Sequence, residues 1–302
     1  MPAVSTPVLA TILMVIAVAI TGLQNCIIRL VTDRGIHAFE LVFFRNVFGF
    51  ASAAVVAVWA EGGFPKTRWI GRLSFACVLH VVSMCAGFLG VAVLPLNESS
   101  ALGFALPLFV TIGAALFLGE KMRARRIAAV IAGFVGVLII LRPGMVPLSF
   151  GAGAILVSAA IGAGVTLLFK TFAGTERPTT LIFYQCLISS FLSLPLALWV
   201  WRMPDMWELV LMAGTGILGT MSWVCFLRAC AIVDASALQP LEFARLPFVA
   251  IFAYLMFGEV PDQWVWLGAA VIFSSTLYIA HREALAARRA ARPSPPGPGA
   301  GA

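Results

Sequence analysis

The sequence predicts an all-α integral membrane protein of ten transmembrane helices, built as two inverted five-helix repeats (5+5) with both termini cytoplasmic. Three observations lead there: a composition too apolar for a soluble chain, ten hydrophobic runs joined by short connections, and a pattern in the first half that returns in the second. The 302 residues are 61% hydrophobic and 11% charged, with a mean hydropathy of +1.02. Soluble domains carry about 25% charged residues. No connection between runs is long enough for a soluble domain, so any chemistry takes place within or at the bilayer.

The runs fall at 8–31, 39–60, 70–94, 99–118, 127–141, 150–172, 179–201, 207–231, 236–258 and 264–281. Their continuity suits helices rather than the alternating strands of an outer-membrane barrel. The first has no Lys or Arg before it and is too long for a signal peptide, so it reads as a helix. The second contains Phe43-Phe44-Arg45 near its start and Trp59 at its end, and the third carries His80. The fourth is interrupted by Gly103 and Pro107 and closes on Gly119-Glu120. The fifth is short, but Arg125, Arg126 and Arg142 can snorkel from its ends. The sixth ends near Lys170, the seventh holds Phe183-Tyr184-Gln185 and ends at Trp199, and the eighth holds Trp223. Pro240 and Pro247 break the ninth, which closes on Gly258-Glu259. Beyond the tenth, the segment 284–302 ends in RPSPPGPGAGA, too rich in Pro and Gly to pack, and is expected to be a disordered cytoplasmic tail.

The net charge of +7 is distributed as a topology label rather than a nucleic-acid footprint. With the N-terminus inside, the cytoplasmic connections hold Lys66, Arg68, Arg72, Lys121, Arg123, Arg125 and Arg126, then Lys170, Arg177, Arg228 and the basic residues from Arg282 onward. The opposite side holds only Arg29, Arg34, Arg142 and Arg202. This is the positive-inside pattern of a multi-pass protein of the cell inner membrane. The six cysteines all fall in apolar runs without metal-ligand spacing and read as small buried hydrophobes. No metal, cofactor or nucleic-acid partner is expected.

The two halves, 8–142 and 150–281, echo one another. Asn97–Glu120 lies without gaps on Ser236–Glu259, matching Leu102, Phe104, Ala105, Gly119 and Glu120 to Leu241, Phe243, Ala244, Gly258 and Glu259. Pro107 and Pro247 are one residue out of register, while FFR at 43–45 answers FYQ at 183–185 and Trp59 answers Trp199. Arg29 falls close to the counterpart of Lys170. The shared order and a nearly constant spacing of about 140 residues indicate duplication. Five helices per unit is an odd number, so the second unit enters the membrane from the opposite side. Antiparallel halves can open a shared site first to one side and then to the other, the alternating-access logic of secondary transporters.

These residues resemble the drug/metabolite transporter superfamily, EamA type. The resemblance rests on the duplicated ten-helix plan, the P…GE endings of the fourth and ninth helices, the FFRN segment of the second, and GFVGVLIILRPG at 133–144. It extends over about residues 8–281 and implies inner-membrane transport of small organic solutes in either direction. One position departs from the pattern: where many members carry Trp-Gly in the first helix, this chain has Thr21-Gly22.

Ionisable groups within a span cost about 2.5–3.5 kcal/mol on insertion scales, and most face a cavity or a partner. Three stand well inside runs: Arg45, Glu242 and Arg245. Glu242 and Arg245 share a helix face, which suits either a structural ion pair or a pathway lining. The prolines favour the lining, because Pro247 leaves the carbonyl of Phe243 without its helical donor. A broken helix at membrane depth is tolerated where it is buried in protein or borders a watery cavity. Paired interruptions in the fourth and ninth helices point to the binding site. Two arginines against one glutamate leave it net positive, so the expected substrate bears a carboxylate and is amino-acid-like or related. The alternative is export of drugs or other neutral or cationic metabolites on the same fold.

Further lining candidates are Gln24, Asn25, Tyr184, Gln185 and Trp223, each with interhelical bonding or packing as its structural alternative. His80 suits proton coupling, with protons or a counter-substrate as the driving partner. Glu120 and Glu259 oppose the macrodipoles of the helices they close, so each is expected to pair with a base or a backbone donor in a structural or gating role rather than to contact substrate. Glu40 and Glu98 lie near span ends and are expected to reach water. No catalytic residue is expected: H-E-x-x-H, G-x-S-x-G and the phosphate loop G-x-x-x-x-G-K-[ST] are all missing, and His37, His80 and His281 are scattered. A channel would not need interruptions at matching positions. A monomer is assumed, since small-residue surfaces such as Gly133 and Gly136 serve internal packing as readily as dimerisation.

Overall fold

The computed structural model describes residues 6–61, 63, 65–117, 124–142, 149–172, 176–232, 241 and 244–290. Among these the chain is helical, with no strand. The helices are α1 (Thr6–Asp33), α2 (Ala38–Glu61), α3 (Ile70–Val93), α4 (Leu96–Gly103), α5 (Leu106–Phe117), α6 (Ala124–Leu141), α7 (Phe150–Phe172), α8 (Pro178–Trp199), α9 (Met206–Ile232), α10 (Arg245–Phe257) and α11 (Gln263–Ala290). Seven described segments are long and apolar enough to cross a membrane, one of them being α4 and α5 together. Ile127–Leu141, Arg245–Phe257 and Gln263–Ser275 are shorter apolar helices. Large apolar side chains such as Trp59, Phe117 and Phe191 stand on the outer surface, at 82%, 81% and 70% exposure. That is an arrangement for lipid rather than water.

The helix ends follow the sequence boundaries closely. The extended Arg177 precedes Pro178, which opens α8 where a missing N–H costs nothing. α11 continues to Ala290, into the stretch from 284 expected to be unstructured; Glu283-Ala-Leu-Ala-Ala-Arg-Arg-Ala is made of strong helix formers. Residues 291–302 lie outside the described part.

The expected interruption of the fourth run is present. Gly103 ends α4, and Phe104 and Ala105 form a tighter turn, their N–H groups reaching Ala101 O (3.2 Å) and Leu102 O (2.9 Å). Pro107 has no N–H, so the ladder restarts from Ala105 O. Ala244, just before α10, makes the same kind of bond to Leu241 O at 3.0 Å. α10 ends on Gly258, whose φ of +69° places it in the left-handed region that favours glycine, with its N–H returning to Tyr254 O.

α1 packs on α9 and α10, α2 on α8 and α9, α3 on α7 and α8, α5 on α7, and α6 on α11. α4 sits among α7, α10 and α11. Several of these crossings are made by glycine. A Cβ on Gly216 would stand 2.7 Å from Gly49 N, and one on Gly268 only 2.6 Å from Gly136 O. A Cβ on Gly90 would stand 2.9 Å from Gly151 O. Such backbone-to-backbone approach is how helices associate where water supplies no drive between them. Hydroxyls staple two of the pairs. Ser83 and Ser158 donate to each other's carbonyl oxygens at 2.9 and 2.7 Å across α3 and α7. Ser222 donates to Ala17 O at 2.9 Å and meets Thr21 Oγ1 at 2.9 Å across α9 and α1. Gly133 and Gly136 are filled by Leu108, Ser275, Ile272 and Gly268, an internal contact.

Candidate functional site

Arg45 stands on α2 where α1 and α9 come closest to it. A Cβ on Gly219 of α9 would lie 3.1 Å from Gln24 Nε2 and 3.2 Å from Arg45 Nη2, so the missing side chain makes room for both groups. Gln24 is anchored by a bond from Nε2 to Thr215 O at 3.0 Å, the interhelical role foreseen as its alternative. Arg45 has weak partners only: Nη1 reaches Asn46 Oδ1 at 3.4 Å and Met84 Sδ at 3.8 Å. Among the described residues its Nε is sealed from solvent without a hydrogen bond, as are Asn46 Nδ2 and His80 Nε2. No carboxylate pairs with Arg45 among the described residues. His80 and Cys186 both lie within its electrostatic reach. The result is a buried, donor-rich and net positive patch on α2 and α3, bordered by α1 and α9.

The second arginine occupies a different setting. Arg245 opens α10 and lies over the ring of Phe104, 4.5 Å from its centroid, at the α4–α5 break. Its Nη2 would be 3.8 Å from a Cβ on Gly103. Cation–π contact and the carbonyl end of α4 both suit a guanidinium. Glu242, its expected partner, and Glu120 lie outside the described residues.

Glu259 is resolved and finds the backbone donor foreseen for it. Its Oε2 accepts the N–H of Leu96 at 2.8 Å, capping α4, whose own N-cap residue Pro95 offers no side-chain bond. The left-handed Gly258 turns the chain so that the carboxylate meets α4 instead of continuing past α10. The same end of the bundle carries further ties. Arg142 pairs with Asp262 at 2.8 Å. Arg29 pairs with Asp33 and donates to Leu94 O at 2.7 Å. Arg202 is bonded to Glu208 and to Arg34 O, and Glu208 and Asp205 cap each other's N–H groups. Glu40 corrects the sequence reading. It does not reach water but is fully buried, with Oε2 accepting the N–H of Arg202, because the connection before α9 folds over it.

The remaining candidates disperse. Tyr184 donates to Pro65 O at 3.0 Å and packs beside Leu73, Cys77 and Phe172, holding α8 to the α2–α3 connection. Asn25 and Gln185 are half-buried and make no side-chain hydrogen bond among the described residues. Trp223 lies one turn beyond Gly219 on α9, 45% exposed and stacked on Phe226 at 5.3 Å. Sequence reasoning missed Asn46, the next residue after Arg45, and Met84 and Gly219, whose proximity to Arg45 depends on helix rotation. It also missed Asn97 and Ser100 on α4. No cluster of His, Cys, Asp or Glu that could hold a metal occurs among the described residues. A shallow groove of about 540 Å³ between α6 and α11, lined by Ala128, Ala132, Ala270, Ser274 and Tyr278, carries no charge.

A helical bundle spanning the bilayer, with charged groups buried at its crossings and broken helices beside them, is the build of a membrane transporter. The chain belongs to the EamA-like transporter family, whose model matches residues 8–142 and again 149–280. It is 29% identical over 251 residues to an S-adenosylmethionine uptake transporter of Rickettsia prowazekii (strain Madrid E), covering 82% of this chain and 84% of that protein. It is 34% identical over 198 residues to a riboflavin transporter of Vibrio cholerae, covering 65% and 66%. A solved structure described as "Crystal structure of protein" shares the fold, with a TM-score of 0.62, 16% identity, and coverage of 96% of this chain and all of that one. The protein is a multi-pass membrane transporter of the drug/metabolite class.

Proposed function

We propose that the protein is a secondary active transporter of the inner membrane that moves a small, carboxylate-bearing metabolite by alternating access, with Arg45 as the group that receives the carboxylate. The observation that carries this reading is a half-buried guanidinium in the bundle, its Nε sealed from solvent, with no anionic partner among the described residues. Such a charge is costly at membrane depth, and a bound anion returns part of that cost through charge-assisted hydrogen bonds. Gln24 positions the guanidinium from α1, and Trp223 offers a face for a substrate ring. His80, beside Arg45, is the candidate for proton coupling, and Arg245 with Glu242 forms the second charged lining. S-adenosylmethionine, an α-amino acid joined to a nucleoside, is the first ligand to try.

The exchange of access rests on two inverted five-helix units with cytoplasmic termini. Several packing relations support this. The contact of α1 with α9 is answered by α7 with α3, and that of α1 with α10 by α7 with α5. Ser83 and Ser222 are spaced as Asn97 is from Ser236, and each donates to a carbonyl of the opposite half. Glu259, and by the same repeat Glu120, serve as gate ties that form and break as the two ends open in turn. The test is ligand-induced thermal stabilisation of detergent-purified protein against amino acids, organic acids, nucleosides and adenosyl metabolites. Hits confined to carboxylates and lost in Arg45→Ala support the reading. Hits among neutral or cationic compounds that survive the substitution refute it.

A further inference from the structure

We infer that Asn97 and Ser100, on the short helix α4, contact an uncharged hydrogen-bond acceptor of the transported molecule, a ring nitrogen or a carbonyl. The inference rests on the transport reading above but not on its carboxylate. Asn97 and Ser100 are 4% and 3% exposed, and Asn97 Nδ2 and Ser100 Oγ are sealed without a hydrogen-bond partner among the described residues. Several serines in these helices bond a carbonyl of the preceding turn, as Ser99 does to Leu96 O at 3.0 Å and Ser74 to Ile70 O at 2.8 Å, although Ser189 on α8 is buried without such a bond. Ser100 does not. Three residues apart, Asn97 and Ser100 share one helix face. Buried polar groups are rarely left without partners, and an Ala or Leu would be better tolerated in a purely structural helix. Groups that weaken the fold yet point inward are characteristic of binding surfaces.

α4 is placed to present them. It is gripped at its N-terminus by Glu259, just beyond α10, and at its C-terminal break by Arg245, which opens α10, over Phe104. At this end the carboxylates of Glu259, on Leu96 N, and of Glu98 are offset by Arg142, within electrostatic reach of Glu98, and by Arg29, on Leu94 O, so no excess positive charge is left to hold an anion. The amide N–H therefore calls for a neutral acceptor, leaving the carboxylate to Arg45. S-adenosylmethionine and riboflavin, named for the relatives above, share such chemistry in their nitrogen heterocycles.

The test uses the full chain in detergent, with S-adenosylmethionine and riboflavin as probes, on wild type, Asn97→Leu, Ser100→Ala and Arg45→Ala. Without ligand, Asn97→Leu and Ser100→Ala are expected to melt at or above the wild-type temperature, because a buried group without a partner has been removed. Affinity for the bound probe is expected to fall about tenfold in each, the loss of one hydrogen bond. A lower melting temperature in both variants, or unchanged affinity, overturns the inference. Riboflavin binding that survives Arg45→Ala but is lost in the α4 variants supports it while ending the carboxylate reading. S-adenosylmethionine binding lost in Arg45→Ala but kept in both α4 variants does the reverse. Failure of both probes on wild type overturns the two together.

Discussion

Gly216 sits where α2 and α9 cross, directly under the arginine. A methyl group there would stand 2.7 Å from Gly49 N, 2.8 Å from Arg45 O and 2.8 Å from Phe48 Cβ, whereas ordinary contact begins at 3.4 Å. Two of the three atoms are backbone, so the helices must part rather than a side chain turn away. Overpacking of this kind costs about 1–3 kcal/mol, offset by roughly 0.5–1 kcal/mol of helix propensity gained on replacing glycine with alanine. Gly216→Ala should therefore lose up to about 2.5 kcal/mol net, which on the scaling of soluble domains lowers the melting temperature by up to roughly 10 °C. Because Arg45 moves with the displaced backbone, ligand binding should weaken as well. Gly214, on the same helix, has nothing within 4 Å of its Cβ position, so Gly214→Ala should leave the melting temperature unchanged or slightly raised. Differential scanning fluorimetry of the two variants decides the matter. Equal melting temperatures would refute the glycine crossing as the element that positions Arg45.

Glu259→Ala removes the cap from α4 and should cost about 0.5–2 kcal/mol, while Glu259→Gln retains an acceptor and should lose less; thermal melts of the two variants rank them. Ser158→Ala removes the bond from Ser158 Oγ to Ser83 O but leaves Ser83 Oγ on the Ser158 carbonyl, and should destabilise by about 0.6 kcal/mol, up to roughly 1.7, with Ser83→Ala removing the second bond and adding a similar loss in a double-mutant cycle. Asp262→Asn breaks a partly exposed pair with Arg142, at 30% and 40% side-chain exposure, and should change stability by less than about 1 kcal/mol, an effect that shrinks with added salt.

Much of this fold was readable because long apolar runs admit few alternatives in a bilayer. Trp59, Trp199 and the helix-opening Pro178 mark span ends in the chain as they do in space, and Pro107 announced the α4–α5 break through its missing N–H. The partners of polar groups were not readable in the same way. Glu259 finds Leu96 N, and Glu40 finds Arg202 N, across more than half the chain. Neither bond leaves a local pattern. Gln24 and Arg45 both approach Gly219, which leaves space for them, and that depends on the rotation of three helices about their axes. Tyr184 showed the same limit. It was a lining candidate with packing as the alternative, and its hydroxyl is spent on the carbonyl of Pro65 in the α2–α3 connection, a partner that no local pattern announces. Asn97 and Ser100 were passed over because NESS at the start of a span reads as an ordinary polar boundary, and only their burial sets them apart.

The most direct measurement compares binding of S-adenosylmethionine and its decarboxylated counterpart to wild type and to Arg45→Ala, by titration calorimetry in detergent. If Arg45 receives the carboxylate, wild type should prefer the intact compound by about 10- to 150-fold, the worth of a charge-assisted contact, and Arg45→Ala should prefer neither. Equal affinity of wild type for both compounds, or a preference that survives the substitution, would contradict the assignment of Arg45 as the anion site.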